Sequence, residues 1–127
     1  MQRILIIEDD RDLSDALKTK FTSEGYEVEV AANSELGLKA VTAMKPDLIF
    51  LDIMTHSLHA ATFMELLREL PDGKNDSKVI VLTNVDNEII RKKLEAYNIE
   101  AYMIKASTSL EKLAIKTKEV LAETSVE

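Results

Sequence analysis

Ile4-Leu5-Ile6-Ile7-Glu8-Asp9-Asp10 is the stretch on which the fold turns. An unbroken apolar run rich in β-branched residues suits a strand buried on both faces. Acids follow it with no turn residue between. The same grammar recurs downstream. Leu48-Ile49-Phe50-Leu51 runs into Asp52, Val79-Ile80-Val81-Leu82 into Thr83, and Ala101 to Ile104 into Lys105. Val28 and Val30 alternate with Glu27 and Glu29, which reads as a half-exposed edge strand.

Helical periods fill the intervals. Leu13, Ala16, Leu17 and Phe21 share one face, and Gly25 supplies the stop. Asn33 is placed to cap a helix carrying Leu36, Ala40, Val41 and Met44, which Pro46 closes. Phe63, Leu66, Leu67 and Leu70 form the next stripe, ended by Pro71-Asp72-Gly73. Ile90, Leu94 and Tyr97 mark a fourth helix. Thr108-Ser109-Leu110-Glu111 has the form of a capping box. It opens a last helix whose inner face carries Leu110, Leu113, Ala114, Thr117 and Leu121. Strict alternation of five strands and five helices means βα units, a doubly wound parallel sheet and helices on both faces. The pattern leaves the strand order open.

Composition narrows the class. The chain has 127 residues, a net charge of −7 and 46% hydrophobic residues, enough for one domain with a real core. The acidic balance argues against a dedicated nucleic-acid binder, which needs a basic face. Without cysteine there is no disulfide, thiolate catalysis or Cys-ligated zinc. The apolar runs are too short for a membrane span, and the early acids do not suit a secretory signal. The expectation is a soluble cytoplasmic domain over residues 1–122. Residues 123–127 read as a tail, or as the start of a linker to a further domain.

Doubly wound sheets bind ligands beyond the carboxyl ends of their strands. Glu8, Asp9, Asp52, Thr83 and Lys105 all sit at such ends. Crowded carboxylates repel unless a cation joins them, and Mg²⁺ suits one or two carboxylates with water and a phosphoryl oxygen. A lysine and a hydroxyl suit the remaining phosphoryl oxygens. Asp10 reads simply as a helix cap.

The whole chain resembles the receiver domain of two-component response regulators, in the chemotaxis-type single-domain form. The resemblance rests on Ile4 to Asp10, Pro46 to Met54, Val79 to Thr83 and Tyr102 to Lys105, in the order and spacing that family uses. It implies a flavodoxin-like (βα)5 fold with strand order 2-1-3-4-5. It implies that Asp52 accepts a phosphoryl group from a histidine kinase or phosphotransfer protein. Glu8, Asp9, Asp52 and the Met54 carbonyl would hold Mg²⁺, and Lys105 would pair with a phosphoryl oxygen. Thr83 and Tyr102 would be the switch, with Tyr102 turning inward. Such a chain is no enzyme in the ordinary sense and catalyses only its own phosphorylation and dephosphorylation. The signal would leave through the face of helix 4, strand 5 and helix 5, toward a protein target or a second copy, with no nucleic acid or membrane involved.

The chain departs from the family pattern at four positions. His56 and Ala106 stand where prolines are usual, Ala60 replaces a glycine, and Asn84 replaces a smaller residue. With Ser57 as a cap and Ala60-Ala61 favouring helix, the third helix is expected to begin near Leu58. The Lys105–Ala106 bond is expected to be trans, with a shifted loop and a less firmly aimed Lys105.

Competing readings have weaker support. A phosphorylation-independent pseudo-receiver has no need to keep Glu8, Asp9, Asp52, Thr83 and Lys105 together. An aspartyl phosphohydrolase resembles Asp-x-Asp-Gly-Thr after strand 1, and this chain has no Gly-Thr there. Dinucleotide binding lacks its glycine-rich turn. His56 and His59 read as polar loop residues rather than a metal site, for want of a third ligand.

Overall fold

The computed structural model describes residues 1–54, 59–71 and 76–124. In chain order the elements are β1 (Arg3–Ile7), α1 (Arg11–Ser23), β2 (Glu27–Ala31), α2 (Ser34–Met44) and β3 (Leu48–Leu51). They continue with α3 (Ala60–Arg68), β4 (Lys78–Thr83), α4 (Glu88–Glu95), β5 (Ala101–Ile104) and α5 (Leu110–Thr124). All strands are parallel, in the order β2-β1-β3-β4-β5. The expected doubly wound fold and its strand order are therefore present.

Side chains on a strand alternate between faces, and the core divides accordingly. Leu5, Ile7, Ile49, Leu51, Val79 and Val81 pack against α2, α3 and α4. Ile4, Ile6, Leu48, Phe50, Ile80 and Leu82 pack against α1 and α5. Fully burying one such side chain contributes roughly 1.5–3 kcal/mol. α2 lies close against β1 at Gly37. A Cβ on Gly37 would collide with Ile7 Cδ1 and come within 2.7 Å of its Cγ1.

The helix ends follow their local chemistry. Asp10 accepts the Leu13 N–H at 3.2 Å, so it caps α1 as its sequence suggests. Gly25 takes φ +99°, the left-handed region where a Cβ is unwelcome. Asn33 accepts the Leu36 N–H at 2.8 Å and opens α2.

Several local expectations shift. Helix α3 begins at Ala60, because His59 is still extended (φ −62°, ψ 147°) and caps it without a side-chain bond. The expected start near Leu58 lies outside the described residues, as do His56 and Ser57, and Ala60 is helical as expected rather than in a loop. The last helix is capped by Ser109, whose Oγ accepts the Lys112 N–H at 3.1 Å. Thr108 is taken by the preceding turn, its N–H donating to the Lys105 carbonyl. Leu36, Leu110 and Ala16 are exposed. In α1, Ser14 is buried instead, and its hydroxyl is satisfied by the Arg11 carbonyl.

Candidate functional site

Strand order decides which strand ends meet. β1 and β3 lie side by side, and the Asp52 N–H donates to the Ile7 carbonyl at 3.2 Å just beyond the ladder. The residues that follow these strands are thus neighbours at the switch point of the sheet. Ligand oxygens of Glu8, Asp9 and Asp52 lie within 4.8 Å of one another. Glu8 is 3% exposed and Asp52 4%, whereas Asp9 faces solvent.

Lys105, in the turn after β5, reaches this cluster. Lys105 Nζ lies 2.7 Å from Glu8 Oε1 and 2.8 Å from Asp52 Oδ2. The expected loosening of Lys105 is therefore absent, although the Lys105–Ala106 bond is trans as expected. The other oxygens are held by local backbone. The Asp10 N–H donates to Glu8 Oε2 and the Met54 N–H to Asp52 Oδ1, each at 3.0 Å. Burial raises the Glu8 carboxyl above its ordinary range, and the bonds from Lys105 and Asp10 offset only part of this. Burial alone would lower Lys105, but its bonds to Asp52 and Glu8 outweigh that and hold it above the usual lysine range. Even beside Lys105, three carboxylates bring several oxygen donors together in one place. That donor set fits a hard divalent cation.

Thr83 ends β4 beside β3 and is fully buried, its Oγ1 accepting the Val85 N–H at 3.2 Å. Tyr102 lies on β5, half-buried, with its hydroxyl donating to the Val85 carbonyl and the Arg91 guanidinium 5.3 Å from the ring centre. Met54 sits beside Asp52 through its backbone, while its side chain is 53% exposed. His59 stands at the start of α3, and no metal cluster among the described residues includes it.

Sequence reasoning missed two contacts. Nothing in the spacing announces Arg91 over Tyr102. Asn84 Oδ1 accepts the Ala106 N–H at 3.0 Å, so two departures from the expected pattern meet each other. A replaced proline is a restored N–H, and that was the available signal.

Comparison with known proteins gives one consistent result. The family model described as the response regulator receiver domain matches residues 4–117. The transcriptional regulatory protein PcoR of Escherichia coli is 35% identical over 107 residues, which cover 83% of this chain and 45% of that protein. The response regulator MprA of Mycolicibacterium vanbaalenii is 32% identical over 85 residues, covering 67% of this chain and 36% of that one. The chain thus spans less than half the length of these relatives. A two-component response regulator from Clostridium difficile superposes with a TM-score of 0.89 at 25% identity, covering 98% of this chain and 99% of that one. A receiver domain protein from Methanospirillum hungatei gives 0.85 at 29% identity, covering 97% and 95%.

Proposed function

This chain belongs to the response regulator receiver domain family, and on that premise we propose that it accepts a phosphoryl group on Asp52 from a histidine kinase or phosphotransfer protein. The observation that carries the reading is the Asp52 carboxylate, buried at the end of β3 with Lys105 on Oδ2 and the Met54 N–H on Oδ1. Glu8, Asp9 and Asp52, with the Met54 carbonyl, would hold Mg²⁺. When bound, the ion neutralises the charge that builds between a carboxylate nucleophile and phosphoryl oxygens.

A carboxylate oxygen of Asp52 attacks phosphorus, forming the O–P bond as the P–N bond to the donor imidazole breaks. The electron pair of that bond returns to the imidazole nitrogen. Lys105 leaves Asp52 for a phosphoryl oxygen, so its charge stays against the negative centre throughout. Thr83 turns its hydroxyl toward the new group and releases the Val85 N–H. Tyr102, bonded to Val85, carries that change to the face of α4, β5 and α5. That face mixes Arg91, Lys92, Glu95, Glu100, Lys112 and Lys116, which suits a charged protein partner or a second copy better than DNA. Residues 1–122 form the working domain of a cytoplasmic two-component protein in this reading. No helix among the described residues is long and apolar enough to cross a membrane.

Incubation with acetyl phosphate and Mg²⁺ should add one phosphate to the chain by mass spectrometry. Asp52→Asn should take none, and an undiminished adduct there overturns the assignment. Beryllofluoride with Mg²⁺ should shift amide signals of Tyr102 and α4. Shifts confined to the neighbourhood of Asp52 would remove this face as the output.

A further inference from the structure

The turn that follows β5 carries the lysine of the site, yet little of it is buried. Lys105 to Ser107 form a single 3₁₀ turn without a side-chain cap of its own at its start. Ala106 and Ser107 are exposed. The β-ladder ends one residue earlier, where Ile104 pairs with Thr83. Beyond that point a specific tie runs back to β4, from the Ala106 N–H to Asn84 Oδ1 at 3.0 Å. Asn84 itself lies between Thr83, which accepts the Val85 N–H, and Val85, which accepts the Tyr102 hydroxyl. The segments 83–85 and 102–106 are therefore stitched at successive residues.

We propose that Asn84 is a positioning residue for Lys105. Its side-chain oxygen holds the first peptide after the lysine and so fixes the base from which the ammonium reaches Glu8 and Asp52. A flexible four-carbon side chain has many rotamers, and fixing its root reduces the volume its charge explores. A side-chain acceptor on a backbone N–H is the chemistry available here, because residue 106 is not proline and keeps its donor. The inference deepens the proposed phosphoacceptor role and rests on it for its effect on rate, though not for its effect on structure.

The test uses the full chain. In Asn84→Ala the Ala106 amide should exchange about threefold to tenfold faster, the range of one modest hydrogen bond. The ¹⁵N order parameters at Lys105, Ala106 and Ser107 should fall, and Asn84→Asp, which keeps the acceptor, should restore both. Unchanged exchange at Ala106 overturns the proposal. With acetyl phosphate and Mg²⁺, Asn84→Ala should slow phosphorylation by about the same factor as the exchange effect. In a Lys105→Ala background it should slow it no further. An equal further loss in that background would mean that Asn84 acts on something other than the lysine, and would also overturn the proposal. If the unaltered chain takes no phosphate, the phosphoacceptor reading fails, and exchange and order parameters decide the inference alone.

Discussion

The two halves of the site stand on differently packed parts of the sheet, the carboxylates after the central strands and Tyr102 on the β5 edge. In β3 every side chain is at most 1% exposed, and in β1 the same holds from Ile4 to Ile7. In β5 every residue is partly exposed, and in the adjoining α4 only Leu94 is buried while Ile89 is 78% exposed. The start of α4 is held by a cap, Asn87 Oδ1 accepting the Ile89 and Ile90 N–H groups, rather than by burial. Strength of packing sets how readily a region opens locally. The carboxylates that need fixed geometry follow the tightly packed strands. Tyr102, which the proposed signal must move, stands on the half-exposed β5, beneath Arg91 of α4. The fold thus sets the proposed reaction centre on closely packed strands and the proposed readout on a half-exposed edge, and Lys105 and Thr83 reach across the boundary.

Truncation gives the widest contrast. Phe50→Ala should cost about 3–5 kcal/mol in urea unfolding, since Phe50 is buried between the helices and packs on Phe21 with ring centres 5.1 Å apart. Met103→Ala, in β5, should cost about 1 kcal/mol, because a partly solvated side chain forfeits less transfer energy. Near-equal losses would erase the distinction between the halves.

Metal binding should strengthen the closely packed half further. At Mg²⁺ a hundredfold above its dissociation constant the chain should gain about 2.7 kcal/mol of stability, and Glu8→Gln should lose that increment. The raised Glu8 carboxyl makes its own contribution to the pH dependence without metal. Its folded state holds the proton more tightly than the unfolded chain does. Its contribution is therefore full below the ordinary glutamate range and is lost as pH rises through the raised value. Metal-free Glu8→Gln should lack that decline. A decline of the same size in the variant would place its origin elsewhere.

Legibility in the sequence follows the same division. The buried strands announce themselves, because a residue covered on both faces must be apolar at every position. Leu48 to Leu51 is read to the residue, and the acids after β1 and β3 could be placed at one edge before any coordinates. Helix stripes are read less well. Leu36 and Leu110 fit a helical period yet lie toward solvent, since period alone does not say how wide the covered face is. Within the site, residue type and order identify Glu8, Asp9, Asp52 and Lys105. The geometry around Lys105 is not legible there, because the turn it opens is tied by a tertiary bond between Asn84 and Ala106, and no local rule pairs residues so distant in sequence.

Close packing on the carboxylate side sets a smaller effect. Gly37→Ala replaces hydrogen by a methyl aimed at the Ile7 side chain. Overpacking of this kind costs about 1–3 kcal/mol, offset by roughly 1 kcal/mol from better helix propensity. A net loss of up to about 2 kcal/mol is expected. Ile7 directly precedes Glu8, so Mg²⁺ affinity should fall with it in a calorimetric titration. A stabilised Gly37→Ala with intact affinity would show that β1 yields more easily than its burial implies.

The smallest effect belongs to the half-exposed edge and asks how its resting position is kept. Tyr102→Phe retains the ring under Arg91 but deletes the hydroxyl that donates to the Val85 carbonyl. The loss of one such bond should cost about 0.5–1.5 kcal/mol. Burial raises the phenol above its ordinary range, Asp86 adding to this and Arg91 opposing it. The folded state therefore keeps the proton after the unfolded chain has begun to lose it. The stability tied to the protonated phenol is intact below about pH 10 and falls as pH rises beyond it. Tyr102→Phe should flatten the alkaline limb of the stability curve while lowering its neutral plateau slightly. A neutral loss as large as that of Phe50→Ala would mean that the hydroxyl fastens β5 as firmly as burial fastens β3. The readout half would then be no softer than the reaction centre, and a phosphoryl group would have too little leverage to move it.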